Sequence, residues 1–480
     1  MSDMKATVEP TSKGFSVCGY EKIEYDFEFL DGVLDPAKPQ LAECYQRWKR
    51  CLAIMDMNMF ELYGDQMQRY FDHYGIDLKV HQTKVGEKAK NMDTLLGIVD
   101  SMNEFGVYRK EPVLVFGGGL VTDVAGFACA AYRRNTNFIR IPTTVIGLID
   151  ASVSIKVAVN YGNYKNRLGA YHAPIHTFLD FTFLRTLPVA QIRNGFAELI
   201  KISSCADKTT FDLLDAHCED LIATGFGRAD GSPDDLKKAA DQICRAGIHE
   251  MLKLETPNLH EIMLDRIIAY GHTWSPLHEL IPDPPLRHGH AISVDMAYSA
   301  TLAHLRGLLS SPDHARLLRL FSRAGLSMDH AQFDPAILEK ATSAILRTRD
   351  GKLRAAVPVS PMGDCVFLND VTHEEMCKAL EVHKGLMAQF ARAGAGVDAY
   401  VDASDTGEVA EVQEVQEKVG SAENGHYTTS SSSNGYQPAQ GVPAMHAGGD
   451  LPRVVDNLKG SMDQSARGNN VVAVADGGLQ

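Results

Sequence analysis

The sequence predicts an α/β domain built on a Rossmann-like parallel sheet, followed by a mostly helical domain. Three observations carry this. Short β-rich runs alternate with helical stretches up to about residue 190. A run of glycines, Gly117–Gly119, closes one of those strands and opens a helix. Beyond residue 190, helical periodicity takes over.

The strand candidates come in the order RCLAIMD, LKVHQT, PVLVFGGG, NFIRIPTT and HTFLDF, which predicts a sheet covered by helices on its faces. NGFAELIKISSC, TFDLLDAHCEDLIA, MAYSATLAHLRGLL and HARLLRLFSRAGL carry the helical part. Ligands of open α/β sheets sit beyond the carboxyl ends of the strands, the end expected to face the helical domain. The expected division is a flexible N-terminus over 1–19, the α/β domain over 20–190, the helical domain over 191–399 and a tail over 400–480. From Gly396 onward there are 12 acids against 4 bases, a serine run at Ser430–Ser433 and few large apolar residues. Such a composition cannot bury enough surface to offset its ordering entropy, so the tail is expected to be disordered.

Bulk composition excludes several classes. The net charge is −14, against a nucleic-acid binder, and no apolar stretch approaches a membrane span. Nine cysteines without a C-x-x-C pair point to reduced thiols in a cytosolic protein rather than a disulfide framework.

Val113–Phe116 reads as a strand and Val124–Ala131 as a helix of small residues, so Gly117, Gly118 and Gly119 lie on a strand-to-helix turn. A backbone that bare admits a ligand closely and aims helix N–H groups at a phosphate. The spacing is not G-x-G-x-x-G, and alone these glycines serve equally as a tight turn. Asp123 follows four residues after the last of them. Asp56 and Asn58 close an earlier strand, where an acid takes a ribose hydroxyl or starts a turn. Glu87 and Lys90 form either a surface pair or a nucleotide contact.

In the helical half, NGFAELIK places Glu198 and Lys201 on one helix face. AYGHTWSP supplies His272, and PLRHGHA supplies His288 and His290. One glutamate and two histidines make a three-ligand zinc shell with an open position; the alternative is satisfied core or surface histidines, of which the chain has 18 in all. His290 reads as a spectator or a partner behind the ligands. Arg133, Arg134, Lys156, Lys165, Arg167 and Lys201 cluster between the halves, as for a phosphorylated substrate or a solvated surface. The stretch DASVSIKVAVN is too apolar for Lys156 to be simply exposed, so a buried anionic partner is expected.

Taken in order, GGGLVTD, IPTTVIGLIDASVSIKVAVN, YKNRLGAY, FLRTLP, RNGFAELIK, YGHTWSP and HGHA resemble the dehydroquinate synthase superfamily of sugar phosphate cyclases, from about Tyr20 to Ala399. The resemblance implies NAD in the α/β domain and a divalent metal, zinc or cobalt, held by Glu198, His272 and His288. It assigns NAD to Asp56, Asn58, Glu87, Lys90, Gly118, Gly119, Asp123, Thr143 and Thr144, and substrate contacts to Arg134, Asp150, Lys156, Lys165, Asn166 and Lys201. Lys165 and Asn166 reach the cofactor as well. It further implies a cytoplasmic homodimeric lyase acting on a small sugar phosphate. A hydroxyl is oxidised transiently, phosphate is eliminated, the carbonyl is reduced again, and the ring opens and closes by an intramolecular aldol reaction.

The sequence departs from dehydroquinate synthase at Asp265, Ala269 and Pro276, where that enzyme carries an arginine, an asparagine and a histidine. The arginine receives a substrate carboxylate, which an aspartate would repel. The resemblance therefore points to a substrate without that group, sedoheptulose 7-phosphate. Stretches such as GYEKIEYDFEFLDGV and SSCADKTTFDLL resemble the desmethyl-4-deoxygadusol synthase branch. The alternatives are 2-epi-5-epi-valiolone synthase, 3-dehydroquinate synthase and a metal-dependent NAD polyol dehydrogenase.

Overall fold

The computed structural model describes residues 5–84, 86–162, 164–402 and 405. The chain opens with β1 (Lys5–Thr11) and β2 (Gly14–Tyr20), an antiparallel hairpin in the stretch expected to be flexible up to residue 19. Alternating β-formers and a Gly14 turn (φ +150°) allow this pairing, which the apolar pattern was too short to announce.

A six-stranded parallel sheet follows. Its strands are β3 (Asp26–Phe29), β4 (Arg50–Asp56), β5 (Asp77–Thr83), β6 (Val113–Gly117), β7 (Phe138–Pro142) and β10 (His176–Leu179), in the order β3-β10-β7-β6-β4-β5. Between β7 and β10 the chain makes a second antiparallel hairpin, β8 (Lys156–Tyr161) and β9 (Tyr164–Tyr171). The helices of this half are α1 (Gln40–Glu43), α2 (Met57–His73), α3 (Met92–Phe105) and α4 (Gly119–Ala131). Successive strand residues point to opposite faces, so β4 divides its side chains between two cores. Cys51, Ala53 and Met55 pack with Tyr63, Met67 and Phe71 of α2; Leu52 and Ile54 pack with Leu95 and Ile98 of α3 and Val124 of α4.

After β5 the chain crosses back over β4 to form β6, so the order reverses between β4 and β6. Side by side at that reversal, their carboxyl ends open the crevice in which such sheets bind ligands. Asp56 ends one strand and Gly117 the other.

Helices α5 (Val189–Ala206), α6 (Lys208–Ala223), α7 (Asp234–Glu255), α8 (Ser275–His278), α9 (His288–Leu305), α10 (Ser311–Arg323), α11 (Pro335–Thr348) and α12 (His373–Met387) build the second half, with a small hairpin, β11 (Ala355–Pro358) and β12 (Cys365–Leu368). In α9 Gly289–Ala303 is buried without a break, so this helix is the axis of the helical core. Beyond Asp405 the tail expected from residue 400 lies outside the described residues.

Candidate active site

Three elements bring the metal-ligand candidates together. Glu198 lies on α5, His272 in the turn before α8, and His288 is the first residue of α9. Glu198 Oε1 stands 3.0 Å from His288 Nε2 and 4.0 Å from His272 Nε2, and ligand atoms of all three lie within 4.8 Å of one another. The imidazoles are held from behind. His272 Nδ1 donates to the Tyr270 carbonyl at 3.1 Å, and His288 Nδ1 donates to Glu279 Oε2 at 3.2 Å. Both Nε2 atoms thus face Glu198, the donor set and tautomers a divalent cation such as zinc requires. Burial and Lys201 push His272 down to about 3, so its ring is neutral and its lone pair available. Burial opposes protonation of His288, but Glu279 and Glu198 outweigh it and raise the ring to about 9; the same carboxylates would favour a cation in the proton's place. Burial likewise opposes ionisation of Glu198, yet Lys201 and His288 hold it well below the usual carboxylate range.

Each of the three lysines of the cluster is matched by a carboxylate. Lys201, one turn after Glu198 on α5, contacts that same carboxylate. Asp150, in a wide π-type turn at Gly147–Ala151, is pushed up by burial and opposed by Lys201 and Lys156. Lys156 begins β8 and donates to Glu261 Oε1 at 3.0 Å, with Glu255 Oε1 at 3.3 Å. The anionic partner expected for Lys156 is therefore this pair of glutamates. Lys165 on β9 donates to Glu279 Oε1 at 2.6 Å and lies 3.7 Å from Glu87. Glu279 thus joins Lys165 to His288. Arg134 stands differently: it is exposed in the turn after α4, in a left-handed conformation (φ +71°), and makes no ion pair among the described residues.

At the sheet's reversal, Asp56 caps α2 by accepting from the Met59 amide at 2.8 Å, and Asn58 is exposed beside it. A Cβ at Gly117 would come 2.8 Å from Asp56 Oδ2, so only glycine fits that approach. Gly118 and Gly119 start α4, whose free N–H groups face the crevice mouth as in an anion site. Thr143 holds Gly117 through its backbone (3.1 Å), while its hydroxyl is buried without a hydrogen-bond partner among the described residues. Thr144 caps the following turn, its hydroxyl accepting from the Gly147 amide at 3.0 Å. Lys90 donates to Asp123 Oδ2 at 2.5 Å, and Glu87 accepts from Asn160, which also receives the Asn166 amide. The orphaned Thr143 hydroxyl and the bare glycine turn fit a dinucleotide's pyrophosphate.

Asp265 takes a different setting from the one expected. It lines a cavity of about 250 Å³ together with Lys156, Glu255, Glu261 and Arg266, but its side chain is 51% exposed and receives Arg354 Nη1 at 2.6 Å. Its charge is thus largely offset, and repulsion at this position is weaker than a lone aspartate would exert. Ala269 is buried and Pro276 sits in the first turn of α8, where proline costs nothing. His290 is fully buried and bonds to Ser327, outside the ligand set. Glu255, Glu261 and Glu279 were not singled out in the sequence; single glutamates in helical or loop context carry no spacing signal.

Residues 80–194 match the 3-dehydroquinate synthase N-terminal family and 195–349 the 3-dehydroquinate synthase C-terminal family. The chain is 53% identical over 400 residues to demethyl-4-deoxygadusol synthase of Trichormus variabilis, covering 83% of this chain and 97% of that protein. It is 40% identical over 375 residues to 2-epi-5-epi-valiolone synthase of Actinoplanes sp., covering 77% and 93%. Among solved structures, ValA, the 2-epi-5-epi-valiolone synthase of Streptomyces hygroscopicus subsp. jinggangensis with NAD+ and Zn2+ bound, superposes with a TM-score of 0.72 at 36% identity, covering 77% of this chain and 99% of that one. With both halves matched in order, the chain belongs to the dehydroquinate synthase family of sugar phosphate cyclases.

Proposed function

We propose that the protein converts sedoheptulose 7-phosphate to demethyl-4-deoxygadusol (also written desmethyl-4-deoxygadusol), a precursor of mycosporine-type sunscreens, as an NAD- and metal-dependent carbon–oxygen lyase. The observation that carries this reading is 53% identity running along 97% of demethyl-4-deoxygadusol synthase. When bound, NAD takes and returns a hydride and the divalent cation polarises the oxygen being oxidised. The chain's own residues do the rest. Glu198, His272 and His288 hold the cation, and Glu279 fixes the His288 tautomer. Asp56, Gly118, Gly119 and Thr143 line the cofactor's crevice. Lys156, Lys201 and Lys165, with Asp150 and Asn166, orient the sugar phosphate and its developing charges. Elimination of phosphate needs cations that can leave their carboxylate partners for the substrate, the arrangement Lys156 has with Glu255 and Glu261.

The nine free cysteines support a reducing, cytoplasmic setting, and no described helix is long and apolar enough to cross a membrane. The protein works as a homodimer. The second reading is 2-epi-5-epi-valiolone synthase, favoured by the relatives named above at 36–40% identity. Incubation with NAD, zinc or cobalt and sedoheptulose 7-phosphate, with the product identified by mass and ultraviolet absorbance, decides between them. An ultraviolet-absorbing dehydrated product is expected. Valiolone would move the assignment to the second reading, and net NADH accumulation would move it to a dehydrogenase.

A further inference from the structure

Arg140 is a buried cation that makes no ion pair among the described residues. It lies on β7, where Ile139 and Ile141 turn to the core under α2 and leave Arg140 to the opposite face, fully buried. Its guanidinium donates through Nη1 to the Ala151 carbonyl and through Nη2 to the Ser154 carbonyl, each at 2.9 Å. Its Nε–H is buried without a hydrogen-bond partner among the described residues. Burial lowers the group to about 10, with Asp123, Tyr25 and Glu255 acting in the opposite direction, so it is charged at neutral pH. A buried cation is costly to hold, and an apolar side chain of the same length would fill the space. What the guanidinium adds is a rigid fork that spans two carbonyls.

Those two carbonyls bracket a turn between two residues of the candidate site. Ala151 directly follows Asp150, and Ser154 precedes Lys156 by two positions. The turn also closes on itself. The Asp150 carbonyl accepts the Val153 amide at 3.0 Å and the Ser154 amide at 3.2 Å, and Ser154 Oγ accepts the Lys156 amide at 3.1 Å. We infer that Arg140 is a positioning residue for the reaction: its fork fixes the turn 151–154, and with it the spacing of Asp150 and Lys156, without touching the substrate. The inference rests on the reading of Asp150 and Lys156 as substrate groups. Lys156 is held by Glu255 and Glu261 and must pass from them to the substrate. With its backbone fixed, only its side-chain torsions move during that exchange, so the ammonium arrives in one place. Misplacing such a group by about 1 Å costs on the order of a hundredfold in rate.

The test compares the natural full chain, Arg140→Met and Arg140→Lys, each loaded with NAD and zinc. Hydrogen exchange read by mass spectrometry follows the Val153 and Ser154 amides, and steady-state kinetics per bound zinc follow kcat and KM for sedoheptulose 7-phosphate. In Arg140→Met, which removes both fork and charge, exchange at the two amides is expected to quicken by at least about tenfold. KM is expected to rise and kcat per zinc to fall by at least about tenfold each. Arg140→Lys keeps the charge without the fork and falls between that variant and the natural chain. A merely structural role would lower the zinc-loaded fraction and leave KM and kcat per zinc at their natural values. That pattern overturns the inference, as does unchanged exchange in Arg140→Met. If Arg140→Met does not fold, Arg140→Lys decides alone: exchange at least about threefold faster and a raised KM are expected, and a natural value of either overturns the inference. A natural chain that releases no phosphate from sedoheptulose 7-phosphate overturns the substrate reading, and the exchange comparison still decides the clamp.

Discussion

Glu279 reaches His288 from the side opposite Glu198, with 3.2 Å between Oε2 and Nδ1. That contact orients the ring and raises its basicity as a ligand, the usual task of a carboxylate behind a metal-binding histidine. Glu279→Gln keeps the shape but loses the charge that also holds Lys165. Metal affinity is expected to fall roughly 10- to 100-fold, read by competition with a chelator. Affinity unchanged from the natural protein would mean that Glu279 serves only Lys165.

His272→Ala or His288→Ala removes one of the three proposed ligands. Bound zinc or cobalt and turnover are both expected to disappear while far-ultraviolet circular dichroism stays native. Full metal occupancy with normal turnover in either variant would sink the ligand assignment.

Asp265 tests substrate choice. Phosphate release from sedoheptulose 7-phosphate should exceed that from the carboxylated seven-carbon substrate of dehydroquinate synthase by at least about tenfold in kcat/KM. Much of that preference is expected from Glu255 and Glu261, which line the same cavity, because Arg354 offsets Asp265. Asp265→Arg would set two arginines against each other and weaken use of the ketose without creating the other activity. Comparable kcat/KM for the two substrates would refute the expectation that the acidic residues around Asp265 exclude a substrate carboxylate.

Arg287 predicts where the chain can be cut. Its side chain is 2% exposed, its amide donates to the Ala399 carbonyl at 2.8 Å, and its guanidinium meets Asp402 and Asp405 at 2.8 and 2.7 Å. A chain ending at Asp405 should keep activity within a few-fold of the full chain. One ending at Gly396 strands a buried cation beside His288 and should lose at least about 2 kcal/mol of stability, with metal affinity falling in parallel. Equal melting temperatures for the two truncations would dismiss the clamp.

Asp295 supplies a pH signature. The fully buried carboxylate accepts the amides of Trp274 (2.5 Å) and Ser275 (2.8 Å), and burial pushes it up to about 6 despite those donors. A folded-state value above the unfolded one means the group's contribution is fully present below about pH 4 and lost as pH rises through 6, up to about 3 kcal/mol. Asp295→Asn cannot ionise, so the difference in melting temperature between it and the natural protein should shift across pH 4–6. A constant difference over that window would show that the donors already hold Asp295 ionised at both ends.

The strands RCLAIMD and PVLVFGGG and helices such as NGFAELIK were legible because burial imposes a period on local sequence, and local sequence is where they were read. Their run of motifs also announced the family, the residues that meet in the Glu198–His272–His288 cluster, and the glycine turn. What the sequence could not contain was the pairing of residues far apart in it. Glu279 has no spacing signal that ties it to Lys165, 114 positions away. The glutamates that hold Lys156, and Arg354 against Asp265, meet only when β8, α7 and the loops after it pack together. Chemistry-bearing residue types were determined by the sequence alone. Which charge faces which was decided by tertiary structure, because an ion's energy depends on the few ångströms around it and not on its neighbours along the chain.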